Sequence, residues 1–189
     1  IAIRAPHRDA TTVALMGGVS DHVLSFKNTV GGGLFDIGVD GNRLENTLGH
    51  CVRGENVERL TISCVRAVNA PHYGLGFQAG LIRDLTVDDV IVEDCGGDGI
   101  DIKNKLNANS GNVLRLVRVR RFGLVSSDQA GIDVRGPTLL SDIIVEEFGE
   151  VQSGVRFRHG ETTDANGLGA HQSIMRVFRI VGQSKNATL

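Results

Sequence analysis

The sequence predicts an all-β solenoid, and three observations carry that reading. A glycine-led strand pattern recurs at intervals near 25 residues, valine (22) and isoleucine (13) dominate the apolar side chains, and no segment sustains apolar residues at helical spacing. β-Branched side chains fit a pleated, half-buried surface better than a helix. A fixed period of 20–50 residues is the mark of stacked repeats.

The glycine-led strand appears as Gly49-His50-Cys51-Val52-Arg53, Gly74-Leu75-Gly76-Phe77-Gln78 and Gly99-Ile100-Asp101-Ile102-Lys103, then as Gly131-Ile132-Asp133-Val134-Arg135 and Gly154-Val155-Arg156-Phe157-Arg158. The glycines are 25, 25, 32 and 23 residues apart, and Val23-Leu24-Ser25-Phe26-Lys27 is a further copy without the glycine. A second strand, Leu60-Thr61-Ile62, recurs as Leu85-Thr86-Val87, with Ile37-Gly38-Val39 taken as its upstream copy. A third aligns Val65 and Ala67 with Val90 and Val92, Val117 and Val119, and Ile143 and Val145. Turns such as Asp40-Gly41-Asn42 and Cys95-Gly96-Gly97-Asp98 separate them. Three short strands per coil leave no room for a helix. One coil cannot bury its own inward valines, but stacked coils, each strand parallel to its equivalent above, share one core. The expectation is one domain over residues 1–189 with about seven coils of 23–25 residues and two loop insertions, at 104–111 and 159–171. Alternating pattern close to both ends suggests a segment of a longer chain.

Composition removes several function classes. A net charge of -2 excludes a generally basic nucleic-acid binder, and no apolar run reaches the ~20 residues that span a bilayer. Three cysteines without a CxxC spacing exclude a disulfide scaffold and a zinc site. No H-x-H or HExxH spacing offers a metal site. Among the cations, 16 are arginine and 4 lysine. Arginine's planar fork suits carboxylates and sulfates, although a compositional bias explains the ratio equally well.

Stacking turns the repeat into columns. With Ile100 and Ile102 inward, Asp101 and Lys103 face out. One outward column then reads Ser25, Cys51, Gly76, Asp101, Asp133, Arg156, and its neighbour Lys27, Arg53, Gln78, Lys103, Arg135, Arg158. Stacked cations repel, so bound carboxylates or sulfates would relieve the second column; internal neutralisation by the aspartates is the competing account. Asp101 and Asp133 fall on adjacent coils, where two carboxyls disfavour joint ionisation and one acquires a raised pKa. That is an acid–base arrangement, or else a solvated pair bridged to Lys103 and Arg135. His72, in the turn Ala70-Pro71-His72-Tyr73, and His159, after the cationic strand, are further candidates as base or substrate donor.

Segments such as Ile37-Gly38-Val39-Asp40-Gly41-Asn42 and Gly97-Asp98-Gly99-Ile100-Asp101-Ile102-Lys103-Asn104 resemble the right-handed parallel β-helix, pectate-lyase-like family, which includes polygalacturonases, lyases, epimerases and phage tailspikes. The first polygalacturonase-like element implies a catalytic aspartate at Asp98 or Asp101. Gly154-Val155-Arg156-Phe157-Arg158 resembles the Gly-Ile-Arg-Ile-Lys element and implies subsite cations at Arg156 and Arg158. The family's double aspartate and Gly-His-Gly element are missing at their expected places, and pectate-lyase calcium ligands are not recognisable, so no cofactor is expected.

The expected function is therefore binding and cleavage of an acidic polysaccharide, by hydrolysis or elimination, in a groove on one parallel sheet. Asp101, Asp133, Asp98 and His159 are the catalytic candidates. Lys103, Arg135, Arg156, Arg158, Arg53 and His72 are the substrate-binding ones. The competing function is a non-catalytic phage-tail or surface-adhesin β-helix. The resemblance further implies an extracellular or virion-associated protein and a tailspike-like homotrimer, while charge and hydropathy imply no nucleic-acid partner and no membrane insertion.

Overall fold

A computed structural model describes residues 1–103, 111–149, 152–158 and 174–181. These form a parallel β-solenoid, with no helix among the described residues. Every strand pairing among the described residues is parallel. One sheet stacks Ala2–Arg4, Gly33–Phe35, Thr61–Val68, Thr86–Glu93, Asn112–Arg120, Thr138–Glu146 and Ile174–Val181, with Thr12–Ala14 and Gly38–Asp40 joining beside them. The other stacks Leu24–Val30, Val52–Glu58, Leu75–Phe77, Ile100–Lys103, Ala130–Arg135 and Ser153–Phe157, with Ile82–Arg83 against Val52–Glu58. Six rungs in this second sheet enclose about five turns, fewer than the seven coils expected.

The core lies between the sheets. Ile100 and Ile102 are fully buried, stacked on Leu75 and Phe77 below and on Ile132 and Val134 above. Each such side chain contributes about 1.5–3 kcal/mol of burial. Phe26, Gly54 and Phe77 share one inward column, and a Cβ at Gly54 would stand 2.4 Å from the Phe77 ring. The glycine leaves room on the middle level for the Phe77 ring, so the two phenylalanines stand on alternate levels of the column.

The second and third strands of the sequence pattern form one continuous strand per coil from Thr61 onward, bent at a residue of positive φ. That residue is Cys64 (54°), Asp89 (50°), Leu116 (52°) and Asp142 (54°) in successive coils, preceded by Asp36 (59°). The bend breaks the two-residue alternation, so Ile62 and Val65 both face inward, as do Val87 and Val90. A second left-handed column, Asn69, Asp94, Arg121 and Glu147, ends this sheet.

Two registers differ from the sequence expectation. Gly38 and Val39 pair with Arg66 and Ala67, so Ile37-Gly38-Val39 belongs to the third strand; Leu34 is the residue paired with Ile62. Val52 stands opposite Leu75, which places Arg53 beside Gly76 and Ser25, and Lys27 beside Glu55. Cys51, expected to face out, is buried in the core. A slip of two residues preserves the inward–outward alternation, so hydrophobic pattern alone cannot detect it.

Candidate functional site

The corrected outward column on the second sheet reads Ser25, Arg53, Gly76, Asp101, Asp133 and Arg156. Asp101 and Asp133 are direct partners on neighbouring strands, and Lys103 pairs with Arg135 two residues on. Inward isoleucines force these polar residues to the opposite side of the strand. They do not reach open solvent, however: Asp101 and Asp133 are 0% exposed and Asp98 1%. The expectation of a solvent-facing pair is corrected on this point.

Asp98, from the turn before the Ile100–Lys103 strand, completes the cluster. One carboxylate oxygen from each of Asp98, Asp101 and Asp133 lies within 4.8 Å of the other two. Lys103 Nζ sits 3.1 Å from Asp101 Oδ2, which also accepts a hydrogen bond from Gln78 Nε2. Asp133 Oδ2 accepts from Arg158 Nη2 and, at 3.0 Å, from Arg156 Nη2, while Arg158 Nε donates to Oδ1 at 3.2 Å. Arg135 Nη2 is 3.4 Å from the same carboxylate. Asp98 Oδ1 accepts the Ala130 N–H at 2.6 Å and lies 3.6 Å from Arg156 Nη2. Asp101 Oδ1 is buried and has no hydrogen-bond partner among the described residues.

These surroundings pull the three carboxyls apart. Burial pushes Asp98 up to about 7, helped by the charges of Asp101 and Asp133 and opposed by the Ala130 N–H. Burial raises Asp101 to about 6 against the pull of Lys103. Burial works the same way on Asp133, but the Arg158 and Arg156 guanidinium groups together outweigh it and hold that carboxyl below its ordinary value. Three acids thus share the site with Lys103, Arg135, Arg156 and Arg158 as built-in counter-ions. Although the oxygens are close enough for a cation, this donor set already carries its neutralising charge and does not fit a metal centre.

Below the aspartates runs a stack of rings. His22 and His50 are stacked with centroids 4.6 Å apart, His50 and Tyr73 at 4.9 Å, and His72 and Tyr73 at 3.7 Å. His72, expected as a turn residue at the site, is half-buried there, and Lys103 lies over the Tyr73 ring at 5.4 Å. Burial drives His50 down to about 2 and Tyr73 up to about 12. Arg53 Nη1 donates to Gln78 Oε1 at 2.8 Å, so a hydrogen-bonded chain Arg53–Gln78–Asp101 links this stack to the carboxyl cluster. Sequence reasoning missed His50 and Gln78 as members of the site. The signal for His50 was the column His22, His50, Tyr73, Asp98, which only the corrected register reveals. His159 and the insertions, apart from Gly111, lie outside the described residues.

No family model and no curated protein matches this chain. Among solved structures it aligns with an alginate lyase from Paenibacillus sp. str. FPU-7, over 93% of this chain and 70% of that one, at 12% identity and a TM-score of 0.46. The likeness is one of backbone course and bears on no residue of the site.

Proposed function

We propose that the Asp98–Asp101–Asp133 cluster is the centre of a carbohydrate-active site that cleaves an acidic polysaccharide. One observation carries the reading: three buried carboxyls within 4.8 Å whose surroundings leave one near neutral pKa and another firmly ionised. Such a division of protonation states is what acid–base cleavage of a glycosidic bond needs. Asp98, at about 7, serves as the proton donor to the leaving oxygen. Asp101, ionised at neutral pH beside Lys103 and with Oδ1 unpaired, serves as base or nucleophile. Asp133 keeps Arg156 and Arg158 in place, and those cations supply the attraction for uronate or sulfate groups.

Incubation with a panel of polyuronates and bacterial capsules tests this. New reducing ends without the ultraviolet absorbance of an unsaturated uronate are expected. That absorbance would replace hydrolysis by elimination, and Asp98→Asn turning over at the wild-type rate would remove Asp98 from the chemistry. A non-catalytic support or adhesin is the second reading, favoured by the complete burial of Asp101 and Asp133 and by the guanidinium groups on both oxygens of Asp133. It predicts no product from any glycan.

A further inference from the structure

The ring stack fixes a proton. Leu75 opposite Val52 and Ile100 places His50, Tyr73 and Asp98 at equivalent corners of successive coils, with His22 one coil below. At three of these corners the side chain accepts the N–H of the next coil. His22 Nδ1 accepts from His50 N at 3.0 Å, His50 Nδ1 from Tyr73 N at 3.2 Å, and Asp98 Oδ1 from Ala130 N at 2.6 Å. A neutral imidazole that accepts at Nδ1 carries its hydrogen on Nε2.

For His50 this has a consequence. Its Nε2 lies 3.3 Å from Arg53 Nη1. The Arg53 nitrogen spends one hydrogen on Gln78 Oε1, and its other hydrogen then faces the His50 N–H. The alternative tautomer only moves the conflict to the Tyr73 N–H, which the backbone cannot turn away. Two donors therefore converge, with no acceptor between them among the described residues. The edge of the imidazole lies where a side chain at position 76 would stand: a Cβ on Gly76 would be 2.9 Å from His50 Cδ2 and 3.1 Å from Nε2. Gly76 is the outward neighbour of both Arg53 and Asp101, so the converging donors sit in the same row as the carboxyl cluster, two rungs below Asp101 with Gly76 between them.

We propose that His50 Nε2–H and Arg53 form a carboxylate-binding subsite, which receives the uronate carboxylate of the sugar next to the cleaved bond. The identification of the ligand as a uronate rests on the proposed function; the convergence of donors does not. A carboxylate oxygen would accept both hydrogens at once, and hydrogen bonds to a charged partner are about twice as strong as neutral ones. Gly76 is part of the device, because any side chain there would displace the ring edge.

The test uses the whole chain labelled with nitrogen-15 in histidine, and acetate as the minimal carboxylate. His50 is expected as the Nε2–H tautomer at neutral pH. Acetate should shift its Nε2–H signal saturably where chloride at equal ionic strength does not, and Arg53→Met should abolish the response while leaving the tautomer unchanged. An Nδ1–H tautomer, or no saturable response to acetate, overturns the subsite. With any polyuronate that is cleaved, Arg53→Met should raise KM by about tenfold or more, the usual loss for one charge-assisted hydrogen bond, with kcat little changed. Unchanged KM there overturns the subsite and leaves the catalytic reading standing. An acetate response in a protein that cleaves no glycan supports the subsite and defeats the catalytic reading.

Discussion

Asp94 and Asp98 stand at the two ends of one turn, four residues apart, and meet opposite fates. Asp94 closes the first sheet with 29% of its side chain exposed and is held by Arg121, whose Nε and Nη2 donate to its two oxygens at 2.7 and 3.0 Å. That pairing keeps its carboxyl below the ordinary value. Asp98 opens the second sheet almost fully buried, with a backbone N–H as its nearest donor and Arg156 farther off, and its carboxyl rises to about 7. Sequence neighbours thus become a structural anion and a neutral acid. Desolvation decides the difference, because a directed guanidinium offsets it at one end of the turn and not at the other.

The contrast is sharpest in activity. Asp98→Asn keeps the size of the side chain and an oxygen for the Ala130 N–H, but removes the proton donor. Loss of a general acid typically costs ~10²–10⁴-fold in rate, and an initial-rate assay on a cleaved polyuronate should show a fall of that order. Asp101→Asn should fall comparably. Wild-type rates in both variants would leave the cluster structural.

Stability against pH separates the two aspartates next. A folded pKa of about 7 against an ordinary 3.8 means that folded Asp98 holds a proton the unfolded chain has released. Its contribution is full below about pH 4, declines by about 1.4 kcal/mol per pH unit and is gone above about pH 7. His50 acts oppositely over much of the same interval: lowered from 6.5 to about 2, it favours the folded state more as pH rises towards 6.5. In the wild-type chain Asp101, raised to about 6, adds a second falling slope, and the rising one of His50 works against both. Asp98→Asn removes one of the falling slopes, so in urea melts between about pH 4 and pH 6.5 the slope of stability against pH should be more positive than in wild type. The variant should also be the more stable protein above about pH 7, an inactive protein relieved of a buried charge. Parallel curves for the two proteins would refute the raised pKa.

How much of this contrast could be read from the sequence follows from what alternation encodes. Ile100 and Ile102 fix which way Asp101 and Lys103 point, and Thr61, Thr86, Val90 and Val92 already lay in their observed registers. Alternation has a period of two, so it could not say whether Arg53 or Cys51 stands beside Gly76, and the histidine column stayed hidden with that choice. Nor does it say how deep an outward residue lies. Asp101 and Asp133 face away from the core and are buried nonetheless, because Lys103, Arg135 and the arginines of the next coil close over them. The left-handed bends at Cys64 and Leu116 were equally invisible, since neither residue type favours that conformation.

Smaller is the cost of removing an acceptor at the buried corner. Asp98→Ala deletes both the acid and the partner of the Ala130 N–H, and a buried donor left unsatisfied costs about 1–3 kcal/mol. Below about pH 4, where the ionisation of Asp98 plays no part, chemical denaturation should rank Asp98→Ala below Asp98→Asn by that margin. Equal stabilities would mean that water or another acceptor takes over the Ala130 N–H.

The smallest effect belongs to the other end of the turn. Asp94→Asn keeps a residue type that tolerates the local φ of 58° and removes only the charge opposite Arg121. Arg121 Nη1 retains Glu147 at 2.8 Å, so the guanidinium is not left without an anion. Partly exposed ion pairs are typically worth about 0.2–1 kcal/mol, and screening by salt reduces that further. The sign is opposite to that of Asp98: a carboxyl lowered by its partner stabilises above its ordinary value and loses the contribution as pH falls through the folded one. Asp94→Asn should therefore lower stability slightly at neutral pH, less so in high salt, and not at all in strong acid, with catalytic rate unchanged throughout. Since the two substitutions lie in one turn and are chemically identical, any general disturbance of the turn would appear in both. A rate loss in Asp94→Asn approaching that of Asp98→Asn would show that the turn acts as a unit and that the buried corner has no chemistry of its own.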